Sequence, residues 1–268
     1  MNRAMIASSV TLGQLQHKLD TVANNLANMN TTGFKRREVS FSDLLVQQIN
    51  NLPRPDDTRL TPYGIRTGTG AAVSGTTLRL EQGAITQTDR MLDLALTEPT
   101  YFFQVQLNGE TQYTRDGSFY FSESRPGFLQ IVTADGAQLL GTDGPIEIPA
   151  DYQNVTIQNN GQIQVTLQNG AIYNAGQLSL VNVIRPQYLQ AIGNNRFIGP
   201  AADSGIALAD VLAIENGAPV ITQGALEQSN VDLSREMTQM IEMQRHFQLS
   251  ARSLTIVDEM MGLVNRLR

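Results

Sequence analysis

The chain contains no cysteine, so disulfide bonds, thiolate metal sites and a cysteine nucleophile are excluded. It also lacks tryptophan, and aromatic residues make up only 6% of the chain, so its core must be mainly aliphatic. Charged residues are sparse at 16%, below the fraction that is usual in soluble domains. A polar but weakly charged surface favours close packing against copies of the same chain, although an ordinary β-domain has a similar composition.

Positive charge is also in short supply, since the formal net charge is −6. Phosphate binding needs a concentrated basic face, so a nucleic-acid partner is not expected. The one basic run is Lys35, Arg36 and Arg37, followed by Glu38. We interpret this short run as the solvent-exposed end of a secondary-structure element.

The residue types of common active sites are few and scattered. The two histidines, His17 and His246, both fall in predicted helices, away from acidic clusters. No HExxH, GxSxG or P-loop motif occurs, and Asp89 and Asp93 are not predicted to form a catalytic pair. The sequence therefore predicts no enzymatic activity, no cofactor, no metal site and no small-molecule substrate.

Long apolar runs are missing as well. No segment approaches the length of a membrane span, and the N-terminus has no continuous apolar region of the kind found in secretory signals. If the protein leaves the cytoplasm, we expect it to do so without a cleaved signal peptide.

A heptad pattern marks the N-terminal segment. Its apolar residues recur at the a and d positions of a coiled coil, which predicts a helix that packs against a partner helix. The helix is expected to end near residues 28–32, with Gly33 in the left-handed cap conformation. The predicted N-terminal part of this assembly seam consists of Met5, Leu12, Leu15, Leu19, Val22, Leu26 and Met29.

The C-terminal segment has a stronger heptad pattern and predicts a long helix. A second apolar stripe runs through Ile241, Leu249, Ile256, Met260, Leu263 and Leu267, so one face of the helix can pair with the N-terminal helix and the other with another subunit. The C-terminal seam residues are Leu233, Met240, Phe247, Leu254 and Met261.

Between the helices the pattern changes twice. Residues 51–77 contain several Pro and Gly and few apolar residues, which indicates an extended connector. From residue 78 apolar and polar residues alternate, and turn pairs such as Asn108-Gly109, Asp116-Gly117 and Asn160-Gly161 recur, as in an all-β domain.

The predicted fold class is therefore α+β, with an all-β central domain flanked by helices that pair as a coiled coil. The predicted divisions are an N-terminal helix and the start of the connector over 1–50, an extended connector over 51–77, an all-β outer domain over 78–225 and a C-terminal helix over 226–268.

Several motifs resemble those of the flagellar rod and hook axial proteins. They are the segment from Asn24 to Asn28 followed by the one from Thr32 to Lys35, the run from Tyr113 to Phe119, the run from Gln223 to Asp232, and Gln244-Arg245. The individual positions that carry this resemblance are Asn24, Asn25, Asn28, Gly33, Thr114, Arg115, Gly117, Gly224, Glu227, Ser229, Asn230, Gln244 and Arg245.

The resemblance implies a structural subunit that assembles into a helical tube and transmits torque from motor to hook. It implies the other rod and hook proteins and the flagellar export apparatus as partners, and an extracytoplasmic place in the basal body. Within the family the chain is similar to the distal rod subunits, with a proximal-rod or hook-type paralogue as the alternative. Departures such as His246-Phe247 in place of a Tyr indicate a divergent branch, for example a Gram-positive hook-basal-body protein.

A binding module of another class remains open at this point. A module for cell-wall glycan would predict an exposed aromatic platform, and Tyr101, Phe102 and Phe103 are the candidates. The alternative for these rings is the core of a strand, which we favour.

Overall fold

The computed structural model describes residues 2–43, 46–49, 65–68, 71–200, 205–215, 217, 218 and 220–266. It is an α+β protein, with sheets between an N-terminal and a C-terminal helix, which confirms the predicted class. The chain divides into two compact units. The helical unit comprises Met1–Leu26, Arg37–Thr77 and Leu233–Arg268, and the β unit comprises Ala27–Arg36 and Leu78–Asp232.

Two long helices dominate the helical unit. Helix α1 spans Asn2–Ala27 and helix α3 spans Leu233–Arg266, and neither sequence contains proline. Residues 28–30 form a turn directly after α1, and Gly33 has a φ of +64°, so the end of the helix lies where the sequence predicts it.

The two helices lie side by side and run antiparallel. Near the end of α1, the side chain of Asn25 donates a hydrogen bond to Glu236 at the start of α3 (3.2 Å). At the other end of α1, Met5 and Val10 line a hollow together with Leu254 from the second half of α3.

The helical unit also contains two antiparallel ribbons. Strand β1 (Arg37–Asp43) pairs with β4 (Ala71–Leu78), and β2 (Val46–Ile49) pairs with β3 (Ile65–Gly68). Residues 51–64, 69 and 70 of the predicted connector lie outside the described residues. Its described part is extended and paired into these ribbons.

The β unit is built from short strands, with a short helix α2 (Leu208–Val211) and a 3₁₀ turn (Pro186–Tyr188) between them. The strands before residue 150 are β5 (Ile85–Gln87), β6 (Leu94–Leu96), β7 (Tyr101–Leu107), β8 (Glu110–Thr114), β9 (Phe119–Arg125), β10 (Phe128–Thr133), β11 (Gln138–Gly141), β12 (Gly144–Pro145) and β13 (Glu147–Pro149). The later strands are β14 (Tyr152–Ile157), β15 (Gln162–Leu167), β16 (Ile172–Gln177), β17 (Leu180–Val183), β18 (Gln190–Gly193), β19 (Arg196–Ile198), β20 (Leu212–Ile214), β21 (Ile221–Gln223) and β22 (Ala225–Glu227).

The largest sheet has the strand order β13-β10-β11-β7-β8-β19-β18, with β9, β12, β17 and β20 attached to its sides. Strands β14, β15 and β16 form a separate three-stranded antiparallel sheet. The late strands β21 and β22 pair with the early strands β6 and β5, so the end of the β unit closes on its beginning.

Most of the predicted turn pairs connect antiparallel neighbours. The glycines at six of these turns have positive φ, as tight hairpins require: Gly109, Gly127, Gly136, Gly144, Gly161 and Gly170. The prediction was wrong for Asp116-Gly117, because β8 and β9 on either side of it do not pair with each other. This segment instead packs against another part of the unit, as described below.

The core of the β unit is mainly aliphatic and is completed by a few rings. Phe102 and Phe103 are fully buried and Tyr101 is nearly so, which confirms their assignment to a strand core and removes them as a binding platform. Phe103 packs edge-to-face on Phe119, and Phe102 packs in the same way on Phe197.

Candidate functional site

A buried ionic cluster lies at the point where three distant chain segments meet in the β unit. The carboxylate of Glu227 accepts a hydrogen bond from the Nζ of Lys35 (2.7 Å) and one from the Nε of Arg115 (2.6 Å). The three side chains are at most 2% exposed. Lys35 follows α1, Arg115 follows β8, and Glu227 ends β22, so the cluster joins the start, middle and end of the unit.

Backbone carbonyls accept the remaining hydrogen bonds that the Lys35 and Arg115 side chains make. Lys35 also donates to the carbonyl oxygens of Leu80 (3.3 Å) and Glu81 (2.8 Å). Arg115 also donates to the carbonyl of Leu96 (3.1 Å) and to that of Tyr101. Since buried charges are costly unless they are paired and hydrogen-bonded, the loss of any one partner would leave a buried charge uncompensated.

The electrostatics of the cluster favour the charged carboxylate. Burial alone would raise the pKa of Glu227, but the charges and hydrogen bonds of Arg115 and Lys35 outweigh burial and hold that pKa below its ordinary value. Burial and the charge of Arg115 lower the pKa of Lys35, against the opposing effect of Glu227. Because every group is engaged and none is accessible, the arrangement supports packing and not proton transfer.

Two glycines allow the segments to approach this closely. A Cβ on Gly33 would lie 2.5 Å from the backbone carbonyl of Arg115, and one on Gly117 would lie 1.7 Å from the carbonyl oxygen of Leu94. Gly33 also donates its backbone N–H to the carbonyl of Glu227 (2.8 Å). The Asp116-Gly117 pair is therefore required for close packing and not for a hairpin.

A second network surrounds the cluster. The Oδ1 of Asp116 accepts hydrogen bonds from Thr32 (2.7 Å) and from both the backbone and the hydroxyl of Ser118 (3.1 and 2.9 Å). Thr114 donates to the carbonyl of Asn195 (3.0 Å), and the Asn195 side chain donates to the carbonyl of Thr32 (2.9 Å). These contacts attach the segment after α1 to the loop between β18 and β19.

Hydrogen bonds also hold the motif of residues 223–232 in place. Asn230 accepts the backbone N–H of Arg36 (2.7 Å) and donates to the carbonyls of Arg79 and Glu81 (2.9 and 2.8 Å). Gly224 donates to the carbonyl of Asp93 (2.8 Å). The Oγ of Ser229 accepts the backbone N–H of Val231 (3.4 Å).

Asn25 holds a corresponding position in the helical unit. It is 2% exposed, and its side chain bonds both the N–H and the C=O of Arg37 (3.0 and 2.9 Å) in addition to Glu236. Glu236 is also buried. One amide side chain therefore fixes the end of α1, the start of β1 and the start of α3.

The other motif residues lie on the two helices or directly after α1. Asn24 is exposed near the end of α1, and Asn28 accepts a hydrogen bond from Thr31 (3.3 Å) in the turn that follows. Gln244 and Arg245 are exposed on α3.

The predicted seam residues have a graded exposure. In and just after α1, Val22 is buried and the partly buried positions are Met5, Leu12, Leu15, Leu19, Leu26 and Met29. In α3, Met240, Leu254 and Met261 are partly buried, whereas Leu233 (42%) and Phe247 (36%) are exposed. Their role in assembly stays a prediction.

The interpretation of the basic run was wrong, because Lys35 is 1% and Arg36 6% exposed. Lys35, Gly83 and Asn195 were not predicted as site residues. Gly83 donates its backbone N–H to Glu227 (2.9 Å) and lies so close to the carbonyl of Gln228 that a Cβ has no room. For Lys35, its place beside the apolar Phe34 within a family motif was the available signal.

Membrane-spanning helices and metal-binding clusters are both absent from the part of the chain that the structure describes. No helix in that part is long and apolar enough to cross a membrane. Within the same residues, no group of three His, Asp or Glu side chains could hold a metal ion.

Comparison with known proteins gives matches in order along the chain. The family model "Flagella basal body rod protein" matches residues 7–35, "Flagellar hook protein FlgE/F/G D1 domain" matches 100–165, and "Flagellar basal body rod FlgEFG protein C-terminal" matches 222–267. Lys35, Arg115 and Glu227 each fall in a different one of these matches.

Relatives are similar over essentially their whole length. The flagellar hook-basal body complex protein FlhP of Bacillus subtilis is 39% identical, with 100% of both chains covered. The flagellar basal-body rod proteins FlgG of Borreliella burgdorferi and of Bacillus subtilis are each 34% identical, with at least 99% of each chain covered. This chain therefore belongs to the flagellar basal-body rod and hook protein family, a family of structural proteins.

Proposed function

We propose that this protein is a structural subunit of the flagellar basal-body rod, similar to the distal rod subunits, and that it acts as a building block without catalysis. The observation that carries the proposal is the end-to-end similarity to FlgG rod proteins and to FlhP. The ionic cluster supports it, because a buried and fully satisfied charge network rigidifies a subunit and offers no reacting group.

Self-assembly into a helical tube is supported by the apolar surface of α3. Ile241, Leu249, Ile256, Met260 and Leu263 are 42–63% exposed in the single chain. Burying what remains exposed of each side chain contributes about 1 kcal/mol, or roughly 5 kcal/mol for each subunit. An interface that repeats head to tail without closing generates a filament.

The antiparallel placement of α1 and α3 supports their pairing as a coiled coil within that tube. The first stripe of α3 includes Met240, Leu254 and Met261, which are less exposed than the second stripe. We propose that the first stripe packs on α1 and the second on neighbouring subunits. Export through the flagellar apparatus and a place outside the cytoplasm in the basal body follow from the same assignment, as does torque transmission by the stiffness of the tube.

The assembly proposal is tested by placing a charge in the seam. Leu19→Asp and Leu254→Asp should abolish polymerisation of the purified protein in sedimentation and electron microscopy, while the circular dichroism of the β unit is retained. Exposed positions on the same helices provide matched controls, namely Gln16→Asp and Gln248→Asp, which should polymerise. Normal polymers from either seam variant would refute the assignment of these residues to an assembly seam.

A second assignment within the family is a different position in the hook-basal body, which the 39% identity to FlhP favours. Deletion of the gene followed by electron microscopy of isolated basal bodies separates the two. A distal rod subunit should leave a truncated rod without a hook in non-motile cells, whereas a hook-adjacent subunit should leave a longer stub. Motile cells with intact basal bodies would contradict both.

A further inference from the structure

A polar hollow of about 340 Å³ lies on the β unit beside the three-stranded sheet. Its volume is in the range of small-molecule sites. The side chains that line it belong to Thr142, Asp143, Asn160, Gln162, Asn174 and Gln177. None of these residues is aliphatic or aromatic, which sets the hollow apart from the usual apolar pocket.

Hydrogen bonds to the backbone hold several of these side chains in place. The Oδ1 of Asn160 accepts the N–H of Gln162 (3.1 Å), and the Oδ1 of Asn174 accepts the N–H of Gly176 (3.4 Å). Gln177 donates its side-chain amide to the carbonyl of Asn160 (3.0 Å). The two asparagines are thereby left with N–H donors, and Gln177 with an acceptor oxygen.

The charge pattern excludes most other ligand classes. Asp143 is the only charged residue at the hollow, so no cation is present to hold a phosphate or carboxylate. A metal ion needs several converging oxygen ligands, but the lining of the hollow supplies a single carboxylate, and the amide oxygens of Asn160 and Asn174 each already accept a backbone N–H. The absence of apolar lining gives no attraction for a lipid or an apolar molecule.

The surrounding strands share this neutrality. No Asp, Glu, Lys or Arg occurs from Tyr152 to Ile184, the segment that contains β14 to β17. A neutral ligand that both donates and accepts hydrogen bonds matches such a surface, because amide groups pair with hydroxyl and acetamido groups in either direction.

We propose that this hollow binds a neutral oligosaccharide bearing hydroxyl and acetamido groups. Since no ring is present for stacking on a sugar face, the affinity of a single hollow is expected to be weak, with a Kd on the order of 1 mM. The inference rests on the hollow alone and is independent of polymerisation and of the position in the rod.

The test is an NMR titration of the ¹⁵N-labelled full chain with tetra-N-acetylchitotetraose. Backbone and side-chain amide signals of residues 160, 174 and 177 should shift and saturate. Asn174→Ala should weaken binding at least about fivefold, because it removes one donor. Asn154→Ala, an exposed asparagine elsewhere on the same sheet, is the matched control and should bind as the parent does. Gln162→Ala provides a second variant if Asn174→Ala unfolds.

Asp143→Asn separates sugar from cation binding. It should keep oligosaccharide binding within about twofold, since an amide also accepts and donates. Titration with calcium chloride alone should leave the amide signals unchanged. Shifts caused by calcium but not by the oligosaccharide would overturn the proposal in favour of a cation site. Absence of any shift with the oligosaccharide, or equal binding by Asn174→Ala and Gln162→Ala, would also overturn it.

Discussion

Replacing Glu227 by alanine is the sharpest perturbation of the β unit. The substitution removes the carboxylate that Lys35 and Arg115 both contact and leaves the two buried cations beside each other. It also removes an acceptor for the backbone N–H of Gly83. The neighbouring carbonyl groups remain, but they do not neutralise two buried positive charges.

The magnitude follows from the burial of the pair. Removing one partner of a buried salt bridge costs about 3–5 kcal/mol, because an uncompensated charge remains inside the protein. For a domain of 150–250 residues each kcal/mol lowers the Tm by about 2–4 °C, so Glu227→Ala should lower the Tm by roughly 6–20 °C. Glu227→Gln should destabilise the protein less than alanine but in the same direction, since it can still accept hydrogen bonds.

A matched control exists in the same unit. Arg36 and Glu81 form an ion pair (3.1 Å) in which the Arg36 side chain is 8% and the Glu81 side chain 65% exposed. Glu81→Ala removes a largely solvated carboxylate and leaves one buried cation where Glu227→Ala leaves two, so it should cost less. Thermal unfolding followed by circular dichroism would compare the variants. If Glu227→Ala melts at the same temperature as Glu81→Ala, the cluster does not stabilise the β unit and the reasoning fails.

Three further predictions concern the same contacts. The folded-state pKa of Glu227 is depressed, so the stability contributed by this carboxylate is complete above the ordinary carboxyl pKa and is lost as pH falls through the lower folded value. The urea concentration at the midpoint of unfolding should therefore decrease once the pH is below about 4.5. Glu227→Gln should abolish that part of the decrease. Gly33→Ala should lower the free energy of unfolding by more than about 2 kcal/mol, because the added Cβ would collide with the backbone of Arg115. Gly109 has the same left-handed φ but lies in open space, so Gly109→Ala should cost about 1 kcal/mol. Chemical denaturation of the two variants measures the difference. Asn25→Ala should lower stability by about 1–3 kcal/mol through the loss of its bond to buried Glu236, measured by hydrogen exchange in α1, and unchanged protection there would count against it.

The local sequence pattern was sufficient to predict the helices and most of the turns. The heptad spacing around Val22 and Leu254 and the breaks near residue 28 depend on nearby residues only, and the structure places both helices accordingly. The hairpin turns follow from Asn-Gly and Asp-Gly preferences in the same way. The family motifs also indicated Arg115 and Glu227 as positions of interest, although not what they contact.

Features that depend on long-range contacts could not be predicted from the sequence. Lys35 belongs to a charged run, and the carboxylate of Glu227, 192 residues away, makes its burial possible together with two backbone carbonyls. Asp116-Gly117 has the composition of a hairpin turn, yet its environment is set by the close approach of Leu94. The local sequence around a charged residue or a glycine therefore predicts one environment, and the long-range contacts of the fold can give it a different one.

The β unit depends on both ends of the chain for its closure. Gly33 and Lys35 come from the segment after the first helix, whereas Glu227 and Asn230 come from the segment before the last one, and all of them contact one another or the same strands. A chain that lacks either end loses the charge balance of the cluster. The cluster thus makes folding of the β unit depend on residues as far along the chain as Glu227, and it fixes, within that unit, the segments that lead to α1 and α3. The proposed assembly into a stiff tube would require such fixed segments in each subunit.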